Sequence, residues 1–287
     1  LSRLKFRHAD LPPHTTALDY IKKQLNWGEA VAQVGGSRFA PNLTVPDLEV
    51  DAESMLREVY QLYRLVGAIA WRSQSTFGLY GISLSYNPSH DRADWHQASF
   101  GHPRYQAHSG FDYFKAVESD QKNRIKNDYL DSLGFRRTLP EAETCPQLGR
   151  LLACFQLPLV RSTIRTLNGS VIHPTPRGDG GYHVDDSPFE VLRVNIQLSG
   201  FEDYGIQYQG HDPIFRPAMQ ALVVNTDVPH RVYVRQPNDC LRTNLVLGVT
   251  PWLDYDASDD SWSPNKYFGR IHPYDMVREG LIFKRTS

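Results

Sequence analysis

The chain has 287 residues, 40% of them hydrophobic and 11% aromatic, enough to bury a substantial core in one large domain or two small ones. Lys plus Arg (31) nearly cancel Asp plus Glu (32), so the molecule as a whole has no positive field to recruit nucleic acid or an anionic membrane. No apolar run is long enough to span a bilayer, and Leu1 to His8 lack the apolar core of a secretory signal. Cys145, Cys154 and Cys240 have neither zinc-site nor disulfide spacing, so a soluble protein of a reducing cytoplasm is expected.

From Leu1 to Pro46, Pro12-Pro13 and Gly35-Gly36 punctuate a mixed stretch that predicts loops, a short helix near Ala17–Leu25 and an edge strand. Met55, Leu56, Val59, Leu62, Tyr63 and Val66 then recur at helical spacing, with Asp51 or Ser54 able to cap the start. Trp71 to Ser85 mixes aromatic, β-branched and glycine residues, which suggests strands joined by turns. Asn87 to Asp128 is polar and aromatic without a dominant period. Its His90, His96, His102 and His108 follow one another at intervals of six, which suits neither helix nor strand, and without carboxylate or cysteine partners they read as surface residues rather than a second metal site. The same stretch is a candidate substrate lid.

Cys145 to Leu157 predicts a second helix, with Leu148, Leu151, Leu152 and Phe155 on one stripe and Pro146 in its first turn. Strand signals follow at Leu159–Leu167, Phe189–Leu198, Gly205–Gln209, Gln220–Asn225, Arg231–Arg235 and Arg242–Val249, separated by Gly, Pro, Asn and Asp clusters. Many short strands with turns between them imply a barrel or jelly roll. Asp254 to Pro264, acidic and serine-rich, is expected as an exposed loop, and Pro273 to Phe283 as a closing helix that Gly280 weakens. The whole is expected as a single domain, 1–287, with a helical and looped buttress carrying substrate-side elements (1–157), a β-rich catalytic core (158–250) and a C-terminal extension (251–287).

Chemistry gathers in the back half. His183 and Asp185 are two apart, so in extended backbone both project from one face and can chelate one metal. Gly178 to Tyr182 gives the chain freedom to reposition just before them, and the adjacent Asp186 would aim away and cap a turn. His230 supplies a second imidazole, and two imidazoles with one carboxylate can occupy one face of a divalent iron while leaving the rest open. Arg242, 12 residues after His230, can clamp a carboxylate with its planar fork, and the intervening Pro237-Asn238-Asp239 turn would set the two on neighbouring antiparallel strands. Arg193, Asn195 and Gln197 form one row of their strand, Leu192, Val194, Ile196 and Leu198 the other. The polar row could face water or, in a barrel with a ligand inside, point inward; periodicity does not choose.

Taken together, Gly181-Tyr182-His183-Val184-Asp185, Leu192-Arg193-Val194-Asn195-Ile196, Asn225 to Val232, and Arg242 resemble the iron(II) and 2-oxoglutarate-dependent dioxygenases. Within them the chain is most similar to the aspartyl/asparaginyl β-hydroxylase-like group, which includes free-proline hydroxylases. The match covers about Leu159 to Val249. It implies a mainly β protein with flanking helices (α+β) around a double-stranded β-helix, or cupin-like jelly roll. It also implies iron ligation by His183, Asp185 and His230, and a 2-oxoglutarate carboxylate on Arg242. Arg193 matches a second cosubstrate-contacting arginine, and Asn195 of the same row is assigned with it.

The implied reaction converts 2-oxoglutarate and O2 to succinate and CO2 while hydroxylating an unactivated C–H bond, with ascorbate as a supporting reductant. A complete triad favours hydroxylation over halogenation. A free amino acid or related metabolite is the expected substrate, with Arg161, Arg165, Arg177 and Trp95 as candidate contacts. The alternatives are a peptide or protein side chain, for which Asn87 to Asp128 would form a groove wall, and a non-catalytic cupin-like metal binder. The latter has no need of Arg242.

Overall fold

The computed structural model describes residues 4–12, 15–35, 42–43, 51–67, 69–70, 79–92, 95, 131–168, 182–200, 202–235 and 241–284. Its strands are β1 (Phe6–Arg7), β2 (Asn42–Leu43), β3 (Ile69–Ala70), β4 (Leu79–Ser83), β5 (Ser85–Tyr86), β6 (Arg137–Thr138), β7 (Leu159–Asn168), β8 (Leu192–Gln197), β9 (Tyr204–Tyr208), β10 (Ala221–Val224), β11 (His230–Val234), β12 (Leu241–Val249), β13 (Leu253–Asp256) and β14 (Ser261–Pro264). The α-helices are α1 (Ala17–Gln24), α2 (Trp27–Val34), α3 (Ala52–Val66), α4 (Pro140–Glu143), α5 (Pro146–Ala153) and α6 (Pro273–Arg278). Among the described residues no helix is long and apolar enough to cross a membrane.

A seven-stranded antiparallel sheet, ordered β2-β10-β8-β12-β7-β4-β3, lies opposite a small sheet of β9 and β11. Isolated bridges extend the small sheet at His183 with His230 and at Ile214 with Ile206. From β7 to β12 the chain therefore passes repeatedly between the two sheets: β7 large, His183 small, β8 large, β9 and Ile214 small, β10 large, β11 small, β12 large. That winding is a double-stranded β-helix, mainly β with helices outside it. The front segment does more than buttress, since β2, β3 and β4 are strands of the large sheet itself.

Both faces of the large sheet are covered, which is why β8 and β12 are buried almost throughout. The outer face, with Val194, Ile196, Val223, Leu245 and Leu247, joins a core with Ile21 of α1, Trp27 of α2, Met55, Val59 and Leu62 of α3, and Leu148 and Leu151 of α5. Tyr63 of α3 hydrogen-bonds Thr166 (2.9 Å), which bonds Thr243 (3.0 Å), tying helix to sheet through hydroxyls. The inner face carries a smaller cluster, Leu222 and Val224 against Ile206, with Tyr208 and Val232 alongside.

Asp51 caps α3 by accepting from the Ser54 N–H at 2.7 Å, and Pro146 occupies the first turn of α5. Helix α2, entered through Asn26 at φ 49°, was not anticipated; it lies close behind α1, where the sequence signal is weak. Residues 254–264 are not an exposed loop. They form the β13–β14 hairpin, joined by β1, with Trp262 buried. The acidic residues that suggested a loop sit in and around its turn, where Asp260 pairs with the buried Arg136 at 2.5 Å. Helix α6 stops at Arg278, just before Gly280 at φ 68°.

His96, His102, His108, Arg177, Cys240, the Pro237–Asp239 turn and nearly all of the candidate lid lie outside the described residues. His90 is described and its ring meets Asn87 at 3.3 Å. Trp95 is stacked on Tyr86 and donates its indole N–H to the His90 carbonyl.

Candidate metal centre and interior cleft

His183 and His230 form a backbone-paired bridge, each N–H donating to the other's carbonyl at 3.0 Å. Residues paired in this way project to the same side of a sheet, and the two rings lie 4.6 Å apart between centroids. The segment after His183 is pinned by the Asp185 N–H donating to the Thr226 carbonyl at 3.2 Å. Asp185 Oδ2 then lies 3.8 Å from His183 Nε2 and 3.6 Å from His230 Nε2. Ligand atoms of the three residues fall within 4.8 Å of one another, the one such group among the described residues.

His230 Nδ1 is 3.0 Å from the Val228 carbonyl, which can only accept. Nδ1–H therefore donates to that carbonyl, which leaves Nε2 as the ring nitrogen that faces the Asp185 carboxylate. A proton or a metal cation between these groups would satisfy both, and the additional His183 nitrogen makes the set suitable for a metal. Ligands about 2.1 Å from a common ion and at right angles stand roughly 3 Å apart, so small side-chain rotations close the observed set around a metal. Burial pushes the Asp185 carboxyl up, but contact with His230 and the charges of His183 and Arg193 outweigh it and hold the group well below the usual carboxylate range. A metal ligand needs that ionised state. The His230 side chain is 5% exposed, whereas those of His183 and Asp185 are 53% and 48% exposed, so one side of the centre is walled by protein and another is open.

Asp186 does not merely cap a turn. Its Oδ2 accepts from Arg193 Nη2 at 2.6 Å and from Ser132 Oγ at 3.2 Å. Arg193, expected on the cosubstrate, is thus engaged by Asp186 and by the Arg161 carbonyl at 3.2 Å. Arg161 reaches Ser132 Oγ at 3.5 Å and Arg165 bonds Thr163 at 3.2 Å.

The polar row of β8 points inward. Asn195 and Gln197 line a narrow cleft, partly open to solvent, together with Ile206, Ile214, Arg216 and Arg242. Ile206 is one inward-facing position along β9 from Tyr208, the partner of His230, so the cleft begins about 7 Å along the sheet from that histidine. Arg242 is 5% exposed. Burial, aided by the charge of Arg165, pushes its guanidinium down from 12.5 to about 10. Among the described residues it forms no ion pair, and it donates to Gln197 Oε1 at a long 3.5 Å. Among the described residues, Asn195 Oδ1, Gln197 Nε2 and Asn244 Oδ1 are buried without a hydrogen-bond partner, and Asn244 stands directly opposite Gln197. Unsatisfied buried amides around an unneutralised guanidinium are costly unless a polar anionic molecule completes them.

One expected placement is overturned. His230 and Arg242 are not on neighbouring strands, because both edges of β12 are already paired, to β7 and β8, leaving none for β11. Histidine and arginine belong to opposite sheets of the sandwich, with the interior between them. Tyr208 and Tyr274 carried no sequence signal. Tyr208 accepts from the Asn225 N–H at 2.8 Å and Tyr274 donates to Asn225 Oδ1 at 3.0 Å, fixing the segment that leads into His230. Gln197 was visible in the alternating row; Arg216, outside any strand, was not.

No family model matches the chain, and no curated protein does. Among solved structures it is similar to the non-heme alpha ketoglutarate dependent epimerase SnoN from nogalamycin biosynthesis, at 9% identity and a TM-score of 0.35, over 74% of this chain and 77% of that one. It is also similar to IDO from Bacillus thuringiensis (11%, TM-score 0.30, 71% and 84%). A third is a 2OG-Fe(II) oxygenase family oxidoreductase from Burkholderia pseudomallei (16%, TM-score 0.29, 72% and 94%).

Proposed function

We propose that this protein is an iron(II)- and 2-oxoglutarate-dependent dioxygenase. The observation that carries the reading is the pairing of a His183/Asp185/His230 donor set with a buried, unneutralised Arg242 in the same interior, among amides that lack partners. The donor set suits a divalent iron with open positions, and the guanidinium suits the remote carboxylate of a small dicarboxylic acid. When bound, iron with 2-oxoglutarate and O2 supplies the oxidising power for C–H hydroxylation, with succinate and CO2 as the other products.

The chain's own residues bind and orient. His230, with its proton held on Nδ1 by Val228, offers Nε2 as a ligand, and the ionised Asp185 and His183 complete one face. Arg242, with Asn195 and Gln197, would fix the carboxylate end of 2-oxoglutarate, and Ile206, Ile214 and Leu222 give that end of the cleft an apolar wall. The exposed side, at His183 and Asp185, is left for the substrate.

The substrate class we favour is a free amino acid or related small metabolite, supported by the balanced charge and by resemblance to the branch that includes free-proline hydroxylases. The same chemistry on a peptide side chain is the alternative. Incubation with iron(II), ascorbate and 2-oxoglutarate, with amino acids and then peptides added singly, reads both questions as succinate. Substrate-stimulated succinate is expected. Iron binding with no consumption of 2-oxoglutarate under any condition would overturn the enzyme reading in favour of a metal-binding protein.

A further inference from the structure

Resting on the metal reading above, we infer that Arg193 is a positioning residue for the metal centre: held in a seat built for its guanidinium, it grips Asp186 and so sets the direction of the neighbouring Asp185 ligand. Four separate features of the fold converge on this seat. The β7 strand bulges opposite Val246–Gly248, and Arg161 in the bulge adopts φ 43°, a conformation that residues with a Cβ rarely take. Its carbonyl accepts from Arg193 Nη1 at 3.2 Å. Gly248 is the register partner of Arg193 on β12; a Cβ there would stand 2.9 Å from Arg193 Nη1 and closer still to the Val160 carbonyl, so only glycine leaves room. The other nitrogen, Nη2, meets Asp186 at 2.6 Å, and Ser132, fully buried, donates to the same carboxylate oxygen at 3.2 Å.

Asp185 itself has little else to hold it. Its side chain is half exposed, and the described backbone ties around it are the His183 bridge and the single bond to Thr226. Anchoring the very next side chain to a strand of the large sheet fixes the backbone between the two residues, and with it the direction in which the Asp185 Cα–Cβ bond points. An exposed carboxylate in free rotation would spend much of its time pointing away from the imidazoles, and groups that orient a ligand strengthen metal binding.

Charge and position make opposite predictions for Arg193. Removing a cation beside the centre should by charge alone tighten binding of a divalent metal; losing the positioning contact should weaken it. The test is the affinity of the purified protein for Mn(II) alone, read from the electron paramagnetic resonance signal of the free ion, with thermal midpoints recorded in parallel. Arg193→Gln and Asp186→Asn should each weaken Mn(II) binding by about ten- to a hundredfold, and the double variant should be no worse than the poorer single one. If Arg193→Gln does not fold, Arg193→Lys keeps the charge without the planar fork: weaker binding supports positioning, unchanged binding refutes it.

Unchanged or tighter Mn(II) binding by Arg193→Gln would overturn the inference. If that came with weakened 2-oxoglutarate binding, Arg193 would belong to the cosubstrate instead. Equal Mn(II) binding by wild type and His183→Ala would be a different failure, removing the metal reading and this inference with it.

Discussion

Replacing Arg242 with methionine should make the ligand-free protein more stable while destroying its response to 2-oxoglutarate. The guanidinium is buried at 5% exposure, has no ion-pair partner among the described residues, and makes one 3.5 Å hydrogen bond at the edge of useful geometry. Burial, with the charge of Arg165, lowers it from 12.5 to about 10, which corresponds to about 3 kcal/mol against the charged form. Because the folded value lies below the unfolded one, that penalty is present in full at neutral pH and is relieved only as pH rises past the folded value.

Methionine has similar length and no charge, and the Gln197 contact it forfeits is weak, so a net gain of about 2 kcal/mol is expected. At roughly 2–4 °C per kcal/mol for a domain of this size, the midpoint should rise by about 4–8 °C. Wild type should in turn gain about 2.7 kcal/mol at a hundredfold excess of 2-oxoglutarate over its Kd, and the variant nothing. A thermal-shift titration of both proteins, iron-loaded without oxygen, reads all four states. A variant that starts less stable and still shifts with 2-oxoglutarate would refute the argument that Arg242 is a buried charge awaiting an anion.

Three further outcomes are expected. His183→Ala and His230→Ala should each lose iron(II)-dependent succinate formation and tight iron binding; turnover at wild-type rates in both would dismiss the donor set. Burial raises Asp131 from 3.8 to about 6 against the opposing bond from the Ala17 N–H, so the folded state holds that proton more tightly and the group's contribution to stability falls as pH rises from about 4 to 6, then levels off. Asp131→Asn keeps an acceptor for Ala17 and should be more stable than wild type by roughly 1–3 kcal/mol at pH 7.5, the advantage shrinking at pH 4.5 in urea denaturation; an advantage independent of pH would rule out this cause. Gly248→Ala should cost about 3 kcal/mol by the same assay, since its Cβ meets the Val160 carbonyl and the Arg193 guanidinium, and a neutral effect would mean β12 shifts freely.

Much of the fold was legible because it depends on local rules. The helical stripe of α3, its cap at one of the two candidates (Asp51), and the strands from β7 to β12 followed from periodicity and punctuation, the strands within three residues of their observed ends, while the proline-started α5 stops four residues before its expected end at Leu157. The β13–β14 hairpin was not legible, because its acidic residues look solvated until Arg136 arrives from 124 positions away. His183 and Asp185 were readable as a chelating pair by their spacing. Nothing local says that His230 pairs with His183 across 47 residues, or that Asp186 is claimed by Arg193.

What the sequence determined by itself is the set of alternating rows and the chemical kinds of side chain on them. Tertiary structure alone decided which row faces inward, since period-two alternation is identical for a strand wetted outside and one lining a cleft, and only the helices packed on the large sheet turn Asn195, Gln197 and Arg242 away from water. It likewise decided that Arg242 belongs to the sheet opposite His230 rather than to a strand beside it, because a strand has two edges and both edges of β12 were filled.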